Sequence, residues 1–262
     1  MNLKITVLGS GTSSGVPTIG CSCAVCLSTD PRDKRLRPSI LISFPDGNIV
    51  RNIVVDTTPD FRAQILRART ARLDAIVYTH WHADHILGLD DVRPFNYHQQ
   101  TRIPIYASRP AFAVIERVFA YVFDDRKRKT SVPQLDVHLI DGAPFDVLGL
   151  QFEPIPLTHG KDTIFGFRFG NVAYLTDHSE IPESSLARLE GLDVLFLDAL
   201  RHRPHPTHST VAHSIETALR LQPKRTYFTH MCHDVSHAST EATFPPGIFL
   251  AYDGLEIEVP GL

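Results

Sequence analysis

The sequence predicts an α/β chain folded as a single domain, 1–262, with two β-rich halves and helices covering them. Three observations lead there. Short apolar, β-branched runs alternate with helical stretches along the whole chain. Many of those runs end on a polar residue, as strands do when a sheet gathers chemistry at one rim. No Pro/Gly/Ser-rich linker divides the chain.

Taken in order, Leu3–Leu8 alternates and reads as a strand that runs into a glycine-rich loop. Ser39–Phe44 and Ile49–Val55 flank "PDGN", a turn signal, and form a hairpin. A helix is expected over Pro59–Arg69, and "LDAIVY" at Leu73–Tyr78 is a buried strand. Ile103–Ala107 is another strand, followed by a helix over Pro110–Val122. The charge cluster Asp124–Thr130 reads as a solvated surface loop. Strands follow near Asp136–Ile140, Leu150–Leu157, Ile164–Phe169 and Asn171–Leu175, then a helix over Glu183–Glu190. The strand Asp193–Leu197, a longer helix over Ser209–Leu221 and the strand Arg225–Phe228 come next, and the chain returns to strand at Ile248–Tyr252 and Leu255–Val259.

Composition excludes several classes. Hydrophobic residues make up 43% and charged residues 21%, with a net charge of −3, which is ordinary for a soluble globular protein. No basic tract gives a duplex-binding role electrostatic support. The apolar runs are too short to cross a bilayer, so no membrane is expected. "MNLKITVLGSG" lacks the layout of a signal peptide, and cytoplasmic residence is the expectation. The unusual count is 14 histidines.

The positions of the histidines carry the argument. Apolar strands end at Asp56, His80, His159, Asp177, Asp198 and His230. Within "THWHADH", His80 and His82 are two apart in an extended turn and can share one metal, while Asp84 and His85 project elsewhere and can serve a second. A separate cluster, "CSCAVC", holds Cys21, Cys23 and Cys26, three of the four cysteines in the chain. Three close thiols in a cysteine-poor chain read as metal ligands, and a tetrahedral zinc there lacks its fourth partner.

H-x-H-x-D-H after a buried strand resembles the metallo-β-lactamase superfamily. The resemblance implies an αββα four-layer sandwich of two mixed β-sheets flanked by helices, with a two-metal site on one rim. It also implies the ligands: His80, His82 and His159 for one ion, Asp84, His85 and His230 for the other, and Asp177 bridging them. "LGSGTSSGVPTIGCSCAVC", "HGKDTIFGF" and "THMCH" further resemble the phosphodiesterases that open phosphoribosyl cyclic phosphate in carbon–phosphorus lyase metabolism. That branch implies a structural zinc on the loop near 9–38, held by Cys21, Cys23, Cys26 and His233, with Cys232 as the rival fourth ligand. A homodimer is expected at the level of the family alone.

The function implied is hydrolysis of a small, cyclic phosphodiester by a hydroxide bridging two divalent ions, whose identity (zinc, manganese or iron) the ligands leave open. Asp177 and His208 are the catalytic candidates, His208 as general acid, with His202 and His205 as weaker alternatives. The loop Ala199–His208 holds two arginines and three histidines able to clamp an anion. Asp56 and Asp198 are expected to orient ligating imidazoles. Lys161 is a candidate phosphate contact, and Gly9, Gly11 and Gly15 are expected to shape the loop that leads to the zinc. His98, His138, His178, His213 and His237 receive no role. The competing readings are a lactone, thioester or lactam hydrolase on the same fold, and an oxidoreductase related to quinone-cofactor biosynthesis. A tRNA-processing nuclease is disfavoured because Arg126–Lys129 is the sole short basic run, so long nucleic acid is not an expected partner.

Overall fold

The computed structural model describes residues 2–124 and 131–260. The basic run Arg126–Lys129, and all of the charge cluster except Asp124, lie outside the described residues. The chain forms two compact units, each discontinuous in sequence.

The first unit takes in Met1–Leu8, Ser39–Asp141 and Glu256–Gly261. Its strands are β1 (Leu3–Gly9), β2 (Ser39–Asp46), β3 (Ile49–Val55), β4 (Ala75–Val77), β5 (Ile103–Ser108), β6 (Leu135–Ile140) and β14 (Glu256–Val259), in sheet order β14-β1-β2-β3-β4-β5-β6. β2 and β3 form the expected hairpin, with Gly47 at φ +60° in its turn. From β3 to β6 the strands run parallel. Parallel neighbours need crossovers, and helices supply them. α1 (Phe61–Ala68) links β3 to β4, α2 (Ala83–Ile86) and α3 (Arg93–Gln99) link β4 to β5, and α4 (Arg109–Val118) and α5 (Ala120–Phe123) link β5 to β6. Phe61, Ile76, Leu89, Ile105 and Ile115 build the core under these helices. Gly88 lets the turn after α2 press onto Thr58, since a Cβ there would stand 2.0 Å from the Thr58 carbonyl oxygen.

The second unit takes in Gly9–Pro38 and Gly142–Leu255. β7 (Phe145–Val147), β8 (Leu150–His159), β9 (Asp162–Phe169) and β10 (Val172–Leu175) pair antiparallel in succession. β11 (Val194–Asp198), β12 (Arg225–Thr229) and β13 (Ile248–Leu250) then continue the sheet parallel to β10. α6 (Glu183–Leu186), α7 (Val211–Leu221) and α8 (His237–Glu241) lie on the crossovers. Phe152, Phe167 and Phe169 are fully buried on the antiparallel half, and Phe145 stacks on Phe152 at 5.6 Å.

Two mixed sheets flanked by helices agree with the expected fold class. Among the strands and α-helices, β7, α2, α3 and α8 were not anticipated; each is three to seven residues long and too short to show a period, and α2 takes up part of the stretch read as an extended turn. The helix expected over Pro110–Val122 breaks at Phe119, whose backbone leaves the helical region at φ −106°, ψ 39° while its ring joins the core. The helix expected over Glu183–Glu190 ends at Leu186. No helix among the described residues is long and apolar enough to cross a membrane.

Candidate metal centres

The parallel strands set up the chemistry within each unit, because their C-terminal ends lie side by side. In the first unit, β3 ends and Asp56 follows in the left-handed region at φ 67°. This conformation is uncommon outside glycine and marks a position held by its surroundings. The buried Asp56 carboxylate accepts from the Thr79 backbone N–H at 2.9 Å, the Thr79 hydroxyl at 2.7 Å and His85 Nδ1 at 2.7 Å. Burial pushes this carboxyl up, against the pull of His85 and Thr79. Since the Thr79 hydroxyl donates to Asp56, it accepts from His80 Nδ1 at 3.0 Å. One carboxylate thus fixes two imidazoles through their Nδ1 atoms, so that any metal they held would be met by their Nε2 atoms. His80 Nε2 faces His82 Nδ1 at 3.1 Å, and His85 Nε2 faces Asp84 Oδ2 at 3.3 Å. Two ligands on one tetrahedral zinc, with bonds near 2.0 Å, stand about 3.3 Å apart, so each pair is spaced to share an ion.

In the second unit, the C-terminal ends of β10, β11 and β12 are adjacent, and they carry Asp177, Asp198 and His230. Asp177 and His230 both take φ 60°, repeating the conformation of Asp56. His230 Nε2 lies 3.0 Å from Asp177 Oδ1. His159, the last residue of β8, donates from Nδ1 to the Thr207 carbonyl at 2.9 Å, so its Nε2 is the nitrogen that could meet a metal. His208 donates from Nδ1 to the fully buried Asp198 at 2.8 Å and stacks on His230 with centroids 4.6 Å apart. The ligand atoms of His159, Asp177 and His208 all lie within 4.8 Å of one another. Asp198 therefore orients His208 directly, while His230 Nδ1 is farther off at 3.8 Å. His208 is not on a helix: α7 begins at Val211, capped by the Thr210 side chain, and His208 stands in the preceding loop with a side chain 12% exposed. His178, next to Asp177, is buried with neither ring nitrogen hydrogen-bonded among the described residues, and burial pushes it down to about 4.

The cysteine loop is local to the second unit. Cys21, Cys23 and Cys26 place their Sγ atoms 3.1, 3.5 and 3.5 Å from His233 Nδ1. Zinc bonds near 2.3 Å to sulfur and 2.0 Å to nitrogen put such atoms about 3.5 Å apart, so the donor set fits a tetrahedral zinc. The backbone N–H of Cys26, aimed at Cys23, pulls that thiol down to about 6 against its burial. Cys232 stays outside this group; its Sγ accepts from the Asp234 N–H, and burial pushes its thiol up. The glycine-rich loop pairs with the segment after His230: Met231 N donates to Ser10 O and Thr12 N to Met231 O.

Other candidates lie elsewhere. Arg201 bonds the Arg203 and Pro204 carbonyls of its own loop, and Arg203 pairs with Asp234, so both guanidinium groups already have partners. His202 is exposed, and His205 caps Thr207. Lys161 is exposed in the turn between β8 and β9. Nothing in the sequence signals Arg35, buried near the end of the loop 9–38, or the Thr207 carbonyl that orients His159. An arginine in a loop and a backbone oxygen leave no pattern to read.

The Beta-lactamase superfamily domain matches residues 51–231. The chain is similar to a crystal structure described as a new diphosphatase from the PhnP family, at 51% identity and TM-score 0.92, over 99% of this chain and 98% of that one. It is 36% identical, over 97% of its length, to an octanoyltransferase of Porphyromonas gingivalis, and it spans about half (51%) of that longer protein. It is 24% identical to Coenzyme PQQ synthesis protein B of Methylobacterium radiotolerans, over 75% of this chain and 72% of that protein.

Proposed function

The chain belongs to the beta-lactamase superfamily, and from that premise we propose that it hydrolyses a small phosphodiester, a cyclic one foremost, with two divalent metal ions. The observation that carries this reading is the full-length similarity, at 51% identity, to a diphosphatase of the PhnP family. As the superfamily pattern implies, His80, His82 and His159 would hold one ion, Asp84, His85 and His230 the other, and Asp177 would bridge. Zinc, manganese or iron suits such nitrogen and oxygen donors. Bound there, the ions supply an acidified water as nucleophile and neutralise charge on phosphate oxygens.

The protein's own residues do the rest. Asp56 keeps His85 and, through Thr79, His80 in the ligating tautomer. Asp198 fixes the Nδ1–H of His208, so the only atom His208 can present to a leaving alkoxide is Nε2, and a proton held there completes the cleavage. Cys21, Cys23, Cys26 and His233 would hold a closed zinc, structural because no coordination position stays open.

A second reading, hydrolysis of a diphosphate anhydride, is favoured by what that same relative is said to do. Both need the same machinery; they differ in whether the leaving group is an alkoxide or a phosphate. The test offers one metal-reconstituted preparation a 2′,3′-cyclic nucleotide, a bis-aryl phosphodiester, a nucleoside diphosphate, a phosphomonoester, a β-lactam and a thioester. Turnover of the two diesters above the rest supports the first reading. Preference for the nucleoside diphosphate selects the second, and lactam or thioester cleavage without phosphate chemistry overturns both.

A further inference from the structure

The zinc loop has almost no hydrophobic core of its own. Val16, Val25 and Cys26 are its buried apolar cluster, with Cys21 and Cys23 packed beside them. Beside the backbone pairs of Ser10 and Thr12 with Met231, a buried charge ties this loop to the segment that carries His233. Arg35 has a side chain with no exposed surface at all. Its Nη1 donates to the Cys232 carbonyl at 3.1 Å and its Nη2 to the Val235 carbonyl at 2.8 Å. Nη2 also meets Asp33 Oδ1 at 3.1 Å, and Nε reaches the Arg32 carbonyl at 3.3 Å. Asp33 in turn accepts from the His237 N–H at 2.8 Å. Burying a guanidinium is costly unless its donors are met, and here four acceptors meet them.

The two carbonyls that Arg35 grips bracket His233. The Arg35 backbone is itself paired to the loop, through two hydrogen bonds with Val16 of 2.7 and 2.8 Å. Lys34 Nζ adds a bond to the Cys26 carbonyl. Gly11 is needed at this crossing, since a Cβ there would stand 2.8 Å from Arg35 Cβ and 2.9 Å from its carbonyl oxygen. One side chain therefore connects the thiol loop to the backbone on both sides of the imidazole that faces the thiols.

The geometry points to Arg35 as a positioning residue for the Cys21–Cys23–Cys26–His233 zinc: its buried guanidinium, countered by Asp33, holds His233 at the thiols so that the site is formed before the metal arrives. This rests on the reading of that cluster as a zinc site. A site formed in advance binds tightly because little ordering is left for the metal to impose. A partner of this kind that orients a ligand typically contributes a 10- to 100-fold effect on metal affinity.

The test uses cobalt(II) as the probe, since it occupies tetrahedral zinc sites and reports thiolate ligation by charge-transfer absorption. Full-length wild type, Arg35→Met, Arg35→Lys and Cys23→Ser are titrated against a competing chelator, with folding checked by circular dichroism. Arg35→Met is expected to keep the thiolate–cobalt band but to bind about 10- to 100-fold more weakly, with an altered d–d spectrum. Arg35→Lys, which restores the charge but cannot span both carbonyls, is expected to fall between. Wild-type affinity and spectrum in Arg35→Met overturn the proposal, even if its melting temperature falls. Should Arg35→Met fail to fold, Arg35→Lys decides, and unchanged affinity there overturns it equally. Absence of any thiolate band in wild type that Cys23→Ser removes would instead overturn the zinc reading itself.

Discussion

Replacing His208 with Ala separates proton donation from metal binding. In the structure the ring is anchored at Nδ1 by a 2.8 Å bond to a fully buried carboxylate and is stacked on His230, so Nε2 is its one free nitrogen. A positioned general acid is worth about 10²–10⁴ in rate. At 1.36 kcal/mol per decade this is about 3–5 kcal/mol of transition-state stabilisation. That help is needed only when the leaving group is a poor one. Hydrolysis of a diester with an alkyl or nucleoside leaving group should therefore fall by about 10²–10⁴, while a p-nitrophenyl ester, whose anion departs unaided, should lose little. The assay measures kcat for both esters on metal-reconstituted wild type and variant, with metal content read by emission spectrometry. Equal loss on both esters would refute proton donation. Lost metal would show that His208, whose ligand atom lies within 4.8 Å of those of His159 and Asp177, is a ligand instead.

Three further outcomes follow from the geometry. Cys23→Ser should lose one zinc equivalent and unfold at lower temperature with the catalytic ions retained; equal loss from every site in elemental analysis would contradict a separate structural zinc. Asp56→Asn should weaken the catalytic metals about 10- to 100-fold in a chelator competition, because Asp56 fixes His85 directly and His80 through Thr79. His237 should make the protein acid-sensitive. Burial pushes its folded pKa down, with Arg32 and Arg35 adding to this and Glu241 and Asp30 opposing it. As pH falls through the unfolded value of about 6.5 the unfolded chain takes up a proton that the folded chain refuses, so this contribution is present above that pH and lost below it. Urea unfolding across a pH series should show a shallower acid decline in His237→Phe, and parallel curves would sink the assignment.

The sequence made the strand ends legible because each is an apolar run closed by a polar residue, a signal confined to a few neighbouring positions. The strands ending at Asp56, Asp177 and His230 were readable; the left-handed backbone that turns each side chain was not, because nothing in Val-Asp, Thr-Asp or Thr-His demands a positive φ. "CSCAVC" read as a candidate metal site, yet the geometry beside His233 depends on a loop more than two hundred residues later. Arg35 was invisible for a related reason. Its partners are backbone carbonyls, which every residue possesses, so no residue type at positions 232 or 235 records the contact. The role of Asp198 was half read: an orienting carboxylate was expected, and the imidazole it holds at hydrogen-bond distance is that of the proton-donor candidate His208, with His230 Nδ1 farther off at 3.8 Å.

The thiols of Cys21 and the imidazole of His233 are separated by 212 residues of chain. At about 5–20 residues per second of synthesis, roughly 10–40 s pass between the appearance of the first cysteine and that of its histidine partner. Through that interval the nascent chain exposes three thiols with no fourth ligand, able to capture soft metals or to oxidise. The same separation makes the cluster one of the last parts of the second unit to close. A bound zinc there would act as a late seal on the second unit, and in a cell its occupancy would report which chains had been made past His233.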